Sequence, residues 1–97
     1  MNSFGLPPNV LDSIKKALTD HPDIKTSKIF GSRAKGTQKR YSDVDIAIFA
    51  GTNINIAHIK EDLEELDVIY KFDVVHYETL ANAELKEHID RVGITLT

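Results

Sequence analysis

The chain has 97 residues and no cysteine, 41% of its residues are hydrophobic and 28% are charged, and its formal net charge is −3. These values predict one small globular domain over residues 1–97 and exclude disulfides and thiolate metal sites. The sequence has no run near the ~20 apolar residues that a membrane-spanning helix needs, and its acidic balance argues against nucleic-acid binding by the whole surface.

The first third of the chain predicts an arm, a helix and a strand. The segment MNSFGLPPN lacks the basic and apolar regions of a signal peptide, which indicates a cytoplasmic protein. Residues 1–8 are expected to form a loose arm. Asn9 is a suitable cap for a helix whose apolar residues recur every three or four positions. This helix stops at Asp20-His21-Pro22, and strand one follows over residues 25–30.

The rest of the chain alternates between helices and strands. Gly31-Ser32 predicts a turn, and Gly36 interrupts any helix that begins there. The later elements are strand two at 44–50, a helix at 55–66, strand three at 71–77, a helix capped by Asn82 that ends near Gly93, and a short strand at 94–96. The predicted order is therefore αβαβαβα(β).

This order predicts an α/β domain in which helices pack on a sheet. Alternation by itself favours a parallel sheet. The link between strands one and two is only about a dozen residues, and it contains a glycine and a polar run, so a mixed sheet is at least as well supported.

The segment 28–49, KIFGSRAKGTQKRYSDVDIAIF, concentrates the chemistry. Asp43 and Asp45 are two residues apart at the start of a strand, so both side chains should lie on one face. Mg²⁺ relieves the repulsion between two such carboxylates and commonly binds through them and through substrate phosphates. Gly31 permits a close approach of the backbone to a ligand. Five cations and no acid lie within residues 28–42, namely Lys28, Arg33, Lys35, Lys39 and Arg40.

Two carboxylates, Mg²⁺ and nearby cations suit phosphoryl or nucleotidyl transfer. A two-metal site for such a reaction needs a further acid beside the attacking hydroxyl, so a third carboxylate is expected. Asp73 is the preferred candidate, since an acid within an apolar strand is costly to bury without a partner. Asp67 is the alternative, although an acid near a helix end needs no special explanation.

The histidines and Tyr41 receive no catalytic role. The four histidines are scattered without metal-ligand pairing (His21, His58, His76 and His88). His58 and His88 are expected on solvated helix surfaces. His76 should face away from Asp73 and be structural. Tyr41 could border a nucleotide or pack as an ordinary aromatic residue.

Gly31-Ser32, ten intervening residues and then Asp43-x-Asp45 resemble the signature of the nucleotidyltransferase superfamily related to DNA polymerase β. The form GSRAKG…YSDVDIAIF on so short a chain is similar to the minimal nucleotidyltransferase (MNT) family of bacteria and archaea. The resemblance implies a small mixed-sheet core. It also implies that Asp43, Asp45 and Asp73 hold two Mg²⁺ ions, and that Gly31 and Ser32 hold the triphosphate of ATP or another NTP. Arg33 or Lys35 would assist at the phosphates.

The resemblance also implies a partner. Such proteins commonly pair with a small helical HEPN protein, in systems where AMP from ATP is transferred to a tyrosine of a HEPN toxin. The alternative is an idle nucleotide-binding antitoxin or regulatory subunit that acts by contact. Transfer to a small molecule such as an aminoglycoside is a weaker interpretation, because such enzymes carry an additional helical domain. A second copy of the chain is a further candidate partner.

Overall fold

The computed structural model describes residues 3–97, and the elements follow the predicted order. They are α1 (Pro8–Thr19), β1 (Ile24–Phe30), α2 (Gly31–Lys35), β2 (Val44–Ala50), α3 (Ile56–Glu64), β3 (Phe72–His76), a 3-10 turn (Tyr77–Thr79), α4 (Ala83–Val92) and β4 (Ile94–Thr95). Asn55 and Asn82 cap α3 and α4 by accepting a hydrogen bond from the backbone three residues on. Within residues 3–97, no helix combines the length and the apolar character needed to cross a membrane.

The four strands form one mixed sheet in the order β3-β2-β1-β4. β1 is antiparallel to both β2 and β4, whereas β2 and β3 are parallel. Only residues 31–43 join β1 to β2, so the chain turns back antiparallel, and the longer link through α3 permits the parallel pair. The predicted mixed α/β sheet is confirmed.

The two faces of the sheet are covered unequally. α1 and α3 pack on one face, over a core that includes Ile14, Leu18, Ile29, Ile46, Ile48, Ile59 and Leu63. The alternate residues of the strands face α4, where the buried cluster contains Phe30, Ala47 and Ile89. Asp45 shares this second face with Ala47. The carboxylates therefore lie on the thinly covered side of the sheet.

The predicted loose arm is wrong for the part of it that the structure describes. Phe4 and Leu6 are only 5% and 3% exposed and belong to the main core. Two isolated apolar residues among glycine and prolines show no periodicity, so the sequence pattern gave no sign of this packing. Residues 1–2 of the arm lie outside the described residues. The cap prediction at Asn9 is also wrong: α1 begins at Pro8, where the missing N–H is no loss.

We predict that Leu6→Ala lowers the free energy of unfolding by about 2–5 kcal/mol, because it empties a buried site. Asn9→Ala is the matched control, and it should change stability by no more than about 0.5 kcal/mol, since Asn9 makes no side-chain capping bond. Urea unfolding followed by circular dichroism measures both variants. If Leu6→Ala were as stable as the parent, the prediction of a loose arm would be right after all. A loss of ~1 kcal/mol in Asn9→Ala would show that Asn9 caps α1.

Candidate active site

The register of the sheet brings the predicted carboxylates together. Asp45 on β2 is the direct cross-strand partner of Asp73 on β3. Asp43 lies just before β2 and is exposed, and its charge acts on Asp45. Neighbouring strands are about 4.8 Å apart, so the three acids form one cluster at the start of β2. Asp67 lies beyond α3, outside this register, so the strand pairing selects Asp73 over Asp67 as the neighbour of Asp45.

The carboxylate form of Asp45 is disfavoured in the folded protein. The pKa of its carboxyl is raised from 3.8 to about 6, chiefly by burial and also by the charges of Asp73 and Asp43, while the charge of Arg33 opposes the rise. A divalent cation supplies the counter-charge that this cluster lacks, and carboxylate oxygens are the ligands that Mg²⁺ prefers. The donor set of Asp43, Asp45 and Asp73 therefore fits such an ion.

Gly31 lies directly against Asp45. Its φ of +71° is in the left-handed region, and a Cβ at this position would collide with Oδ2 of Asp45. Antiparallel pairing of Phe30 with Asp45 produces this close approach. Only glycine satisfies both demands. The predicted turn at Gly31-Ser32 is instead the first turn of the short helix α2, which ends at Gly36 with φ +78°.

His88 is the site residue that the sequence reasoning missed. Its Nε2 accepts a hydrogen bond from the Gly31 N–H at 3.2 Å, and its ring meets Phe30 edge-on. The predicted solvated position is therefore wrong for His88, because α4 crosses the sheet next to Gly31. Its place beside the buried Ile89 at the margin of the apolar stripe was the available signal. The Gly31 amide, expected to hold phosphate, is engaged by this histidine.

Arg33 does not face the open site, so its predicted contact with phosphate is corrected. The side chain is 1% exposed. Its Nε and Nη2 donate to the Ser42 carbonyl at 3.2 and 2.9 Å, and its Nη1 donates to the Phe4 carbonyl at 2.9 Å. The guanidinium also lies over the Tyr70 ring. Arg33 thus joins the arm to the segment before Asp43 and places a positive charge behind the carboxylates.

The other cations remain closer to the surface. Lys35 is exposed at the end of α2, so it is the better placed of the two predicted phosphate ligands. Lys28 lies over the Phe49 ring and Arg40 over the Tyr41 ring. Tyr41 is 62% exposed, which excludes core packing for this residue.

His76 is structural, as predicted. It lies in register with Ile48, on the opposite side of β3 from Asp73. Its Nε2 is 2.9 Å from the Ala50 carbonyl, and its side chain is largely buried.

The sequence profile described as "Polymerase beta, Nucleotidyltransferase" matches residues 12–97. The chain belongs to this nucleotidyltransferase family. The predicted resemblance to minimal nucleotidyltransferases is confirmed by curated and structural relatives. One is the Probable protein adenylyltransferase MntA of Haemophilus influenzae, 31% identical over 70 residues, which are 69% of this chain and 60% of that protein. The match thus spans less than two thirds of this relative.

Solved structures of the family share the fold. A toxin-antitoxin crystal structure with AMP-PNP has a TM-score of 0.73 and 29% identity, over 90% of this chain and 72% of the other. A tri-AMPylated HEPN toxin of Shewanella oneidensis in complex with MNT antitoxin has a TM-score of 0.68 and 23% identity, over 92% of this chain and 70% of the other. At 23% identity, the second likeness supports the nucleotidyltransferase fold alone.

We predict that Arg33→Lys lowers the free energy of unfolding by about 1–3 kcal/mol, because a lysine cannot reproduce the fork of hydrogen bonds to buried carbonyls. Lys35→Gln removes a nearby exposed cation and should stay within about 0.5 kcal/mol of the parent. Denaturant unfolding compares the two variants. Equal stability of Arg33→Lys and the parent would show that the hydrogen bonds of the Arg33 guanidinium do not contribute to the free energy of unfolding.

We also predict that Asp45→Asn stabilises the metal-free protein at neutral pH. The folded-state pKa of Asp45, about 6, is above the ordinary 3.8. Its contribution to stability is therefore fully present below about pH 4 and is lost as the pH rises through about 6. The variant should gain on the order of 1 kcal/mol near pH 7.5, after allowance for solvent screening of a half-buried group.

Urea unfolding in a chelator at several pH values measures this difference between Asp45→Asn and the parent. The gain should shrink towards zero near pH 4. A gain that stays constant down to pH 4 would mean that ionisation of Asp45 is not its cause.

Proposed function

We propose that this chain is a Mg²⁺-dependent nucleotidyltransferase that transfers AMP from ATP to a hydroxyl of a partner protein. The observation that carries the proposal is the cluster of Asp43, Asp45 and Asp73 beside Gly31. Because these carboxylates lie together and Asp45 is half-buried, the pKa of Asp45 is raised. Its ionised form therefore lowers the stability of the folded protein unless a cation is bound. Because the chain belongs to the nucleotidyltransferase family, nucleotidyl transfer is the reaction that we assign to this cluster.

The residues of the site divide the work of the proposed reaction. Asp43, Asp45 and Asp73 would hold Mg²⁺, which when bound supplies positive charge to the phosphates and acidifies the acceptor hydroxyl. Gly31 allows its backbone to lie against Asp45, and Ser32 and Lys35 offer donors on the same short helix. Asp73 is exposed on β3, so an incoming hydroxyl can reach it and pass it a proton.

The bonds exchanged follow from this arrangement. A bond forms between the acceptor oxygen and the α-phosphorus, the bond from that phosphorus to the β-phosphate bridging oxygen breaks, and pyrophosphate leaves. Positioning and charge stabilisation supply most of the catalysis. Arg33 contributes its charge from behind the carboxylates, without touching the nucleotide.

The names of the relatives support a protein acceptor. The curated relative is named as a protein adenylyltransferase, and a solved relative is a toxin-antitoxin pair with AMP-PNP. The sequence resemblance names the partner class, a small helical HEPN protein. We therefore propose a HEPN toxin as the acceptor and an antitoxin role for this chain.

One observation favours the second candidate function, an antitoxin that acts by contact alone. His88 occupies the Gly31 amide, so one of the expected phosphate donors is already engaged. Nucleotide binding then either displaces His88 or relies on Ser32 and the basic residues. The carboxylate cluster still favours the enzyme, because a contact antitoxin gains nothing from it.

We predict that incubation with ATP, Mg²⁺ and the HEPN partner adds one or more AMP masses to the partner. Asp45→Asn and Asp73→Asn should each lower the rate by about 100-fold or more, because each removes a charge at the reacting phosphate. Intact-mass spectrometry gives the readout. Asp67→Asn is the matched control and should transfer at the parental rate, since Asp67 lies outside the strand register of the site.

The alternatives give different results. If a stable complex forms but neither ATP nor any other NTP adds mass to the partner, the chain acts as an antitoxin by contact alone. Full activity in a folded Asp45→Asn protein would remove the carboxylates from the mechanism. A loss in Asp67→Asn with none in Asp73→Asn would move the third role to Asp67.

A further inference from the structure

A second cluster of ligand-type side chains lies at the other end of the sheet, where β1 begins. His21 is in the link between α1 and β1, and His58 and Asp62 are four residues apart on α3. β1 runs from the His21 end to the Gly31 end, and its seven residues span roughly 20 Å. This cluster is therefore separate from the carboxylates of Asp43, Asp45 and Asp73.

The donor atoms of this cluster converge. One ligand atom from each of His21, His58 and Asp62 lies within 4.8 Å of the others. The Nε2 of His21 is 2.6 Å from Oδ2 of Asp62, and the Nε2 of His58 is 3.8 Å from the same oxygen. Two ligands of a tetrahedral zinc ion are about 3.3 Å apart, as follows from Zn–N and Zn–O distances near 2.0–2.1 Å. Small side-chain rotations bring all three atoms to that spacing.

A hydrogen bond between His21 and Asp62 explains only part of the arrangement. It does not account for His58, which is mostly exposed yet has its ring 5.4 Å from that of His21, edge-on. His58 also has a carboxylate on its other side: Oε2 of Glu61 is 4.0 Å from Nδ1. Metal-binding histidines commonly donate their second ring N–H to a carboxylate, and Glu61 would make this bond if its oxygen moved closer than 4.0 Å.

The ligand types select the ion. Two imidazoles and one carboxylate suit Zn²⁺ and similar transition metals, whereas Mg²⁺ prefers oxygen ligands only. Since His58 is exposed, water has access to a fourth position. We propose that His21, His58 and Asp62 form a zinc-type metal site that joins the link before β1 to α3. The site does not depend on the proposed transfer activity.

The test is a zinc titration by calorimetry. The double variant Asp45→Asn/Asp73→Asn serves as the background, because it weakens the carboxylate cluster as a competing metal site. We expect one equivalent of Zn²⁺ to bind and an excess of Mg²⁺ not to displace it. In this background, His58→Gln should lower the zinc affinity by well over tenfold, and Glu61→Gln by about tenfold. Glu64→Gln on the same helix and His88→Gln are matched controls and should leave the affinity unchanged.

Two further measurements keep the test decisive. His58 is exposed, so His58→Gln should keep the parental circular dichroism spectrum even if His21 variants do not fold. Co²⁺ in place of Zn²⁺ should give the visible absorption of a four-coordinate site, and His58→Gln should abolish it. Failure to bind one equivalent, or an affinity that His58→Gln does not change, would overturn the proposal and leave His21 and Asp62 as a simple hydrogen-bonded pair.

Discussion

The position of Asp45 is the constraint on which the rest of the site depends. Its strand pairs with β1 on one side and with β3 on the other, so a single residue faces Phe30 and Asp73 at once. The first pairing puts the backbone of Gly31 against the carboxylate, and the second puts another acid beside it. A side chain at residue 31 would push into Asp45. The glycine and the acids are therefore one geometric unit, and the mixed sheet is what assembles it.

Arg33 shows how this unit is held in place. A buried guanidinium is stable here because backbone carbonyls of the arm and of the segment before Asp43 accept its hydrogen bonds. The same charge partly offsets the effect of Asp73 and Asp43 on the pKa of Asp45. The basic segment that follows β1 thus has two physically different parts: one arginine that organises the backbone, and exposed cations that remain available to an anionic ligand.

Much of the fold could be predicted from the sequence, because its signals are local. β2 has the predicted bounds, and Asn82 caps α4 as its side-chain chemistry predicts. The two-residue spacing of Asp43 and Asp45 likewise indicated a pair of acids at the start of this strand.

The errors share a different origin: each depends on contacts between distant segments. Phe4 is buried because Arg33 and the core reach it, and His88 meets Gly31 because α4 crosses the sheet. The pairing of His21 with His58 and Asp62 is of the same kind, since 37 residues or more separate the partners in sequence. An exposed cation and a buried one also look alike in a sequence. Hence Arg33 was indistinguishable from Lys35 until the hydrogen bonds were visible.

The unequal covering of the sheet has a consequence for how such a protein can diversify. The face packed by α1 and α3 carries most of the buried apolar residues, while the face that carries the acids is covered by α4 and the 3-10 turn, among residues 3–97. Substitutions on the α4 side can therefore alter shape and charge around the acids while most of the folding free energy is left untouched. In a chain of this size, that separation lets one surface vary with its ligand or partner while the opposite surface preserves the architecture.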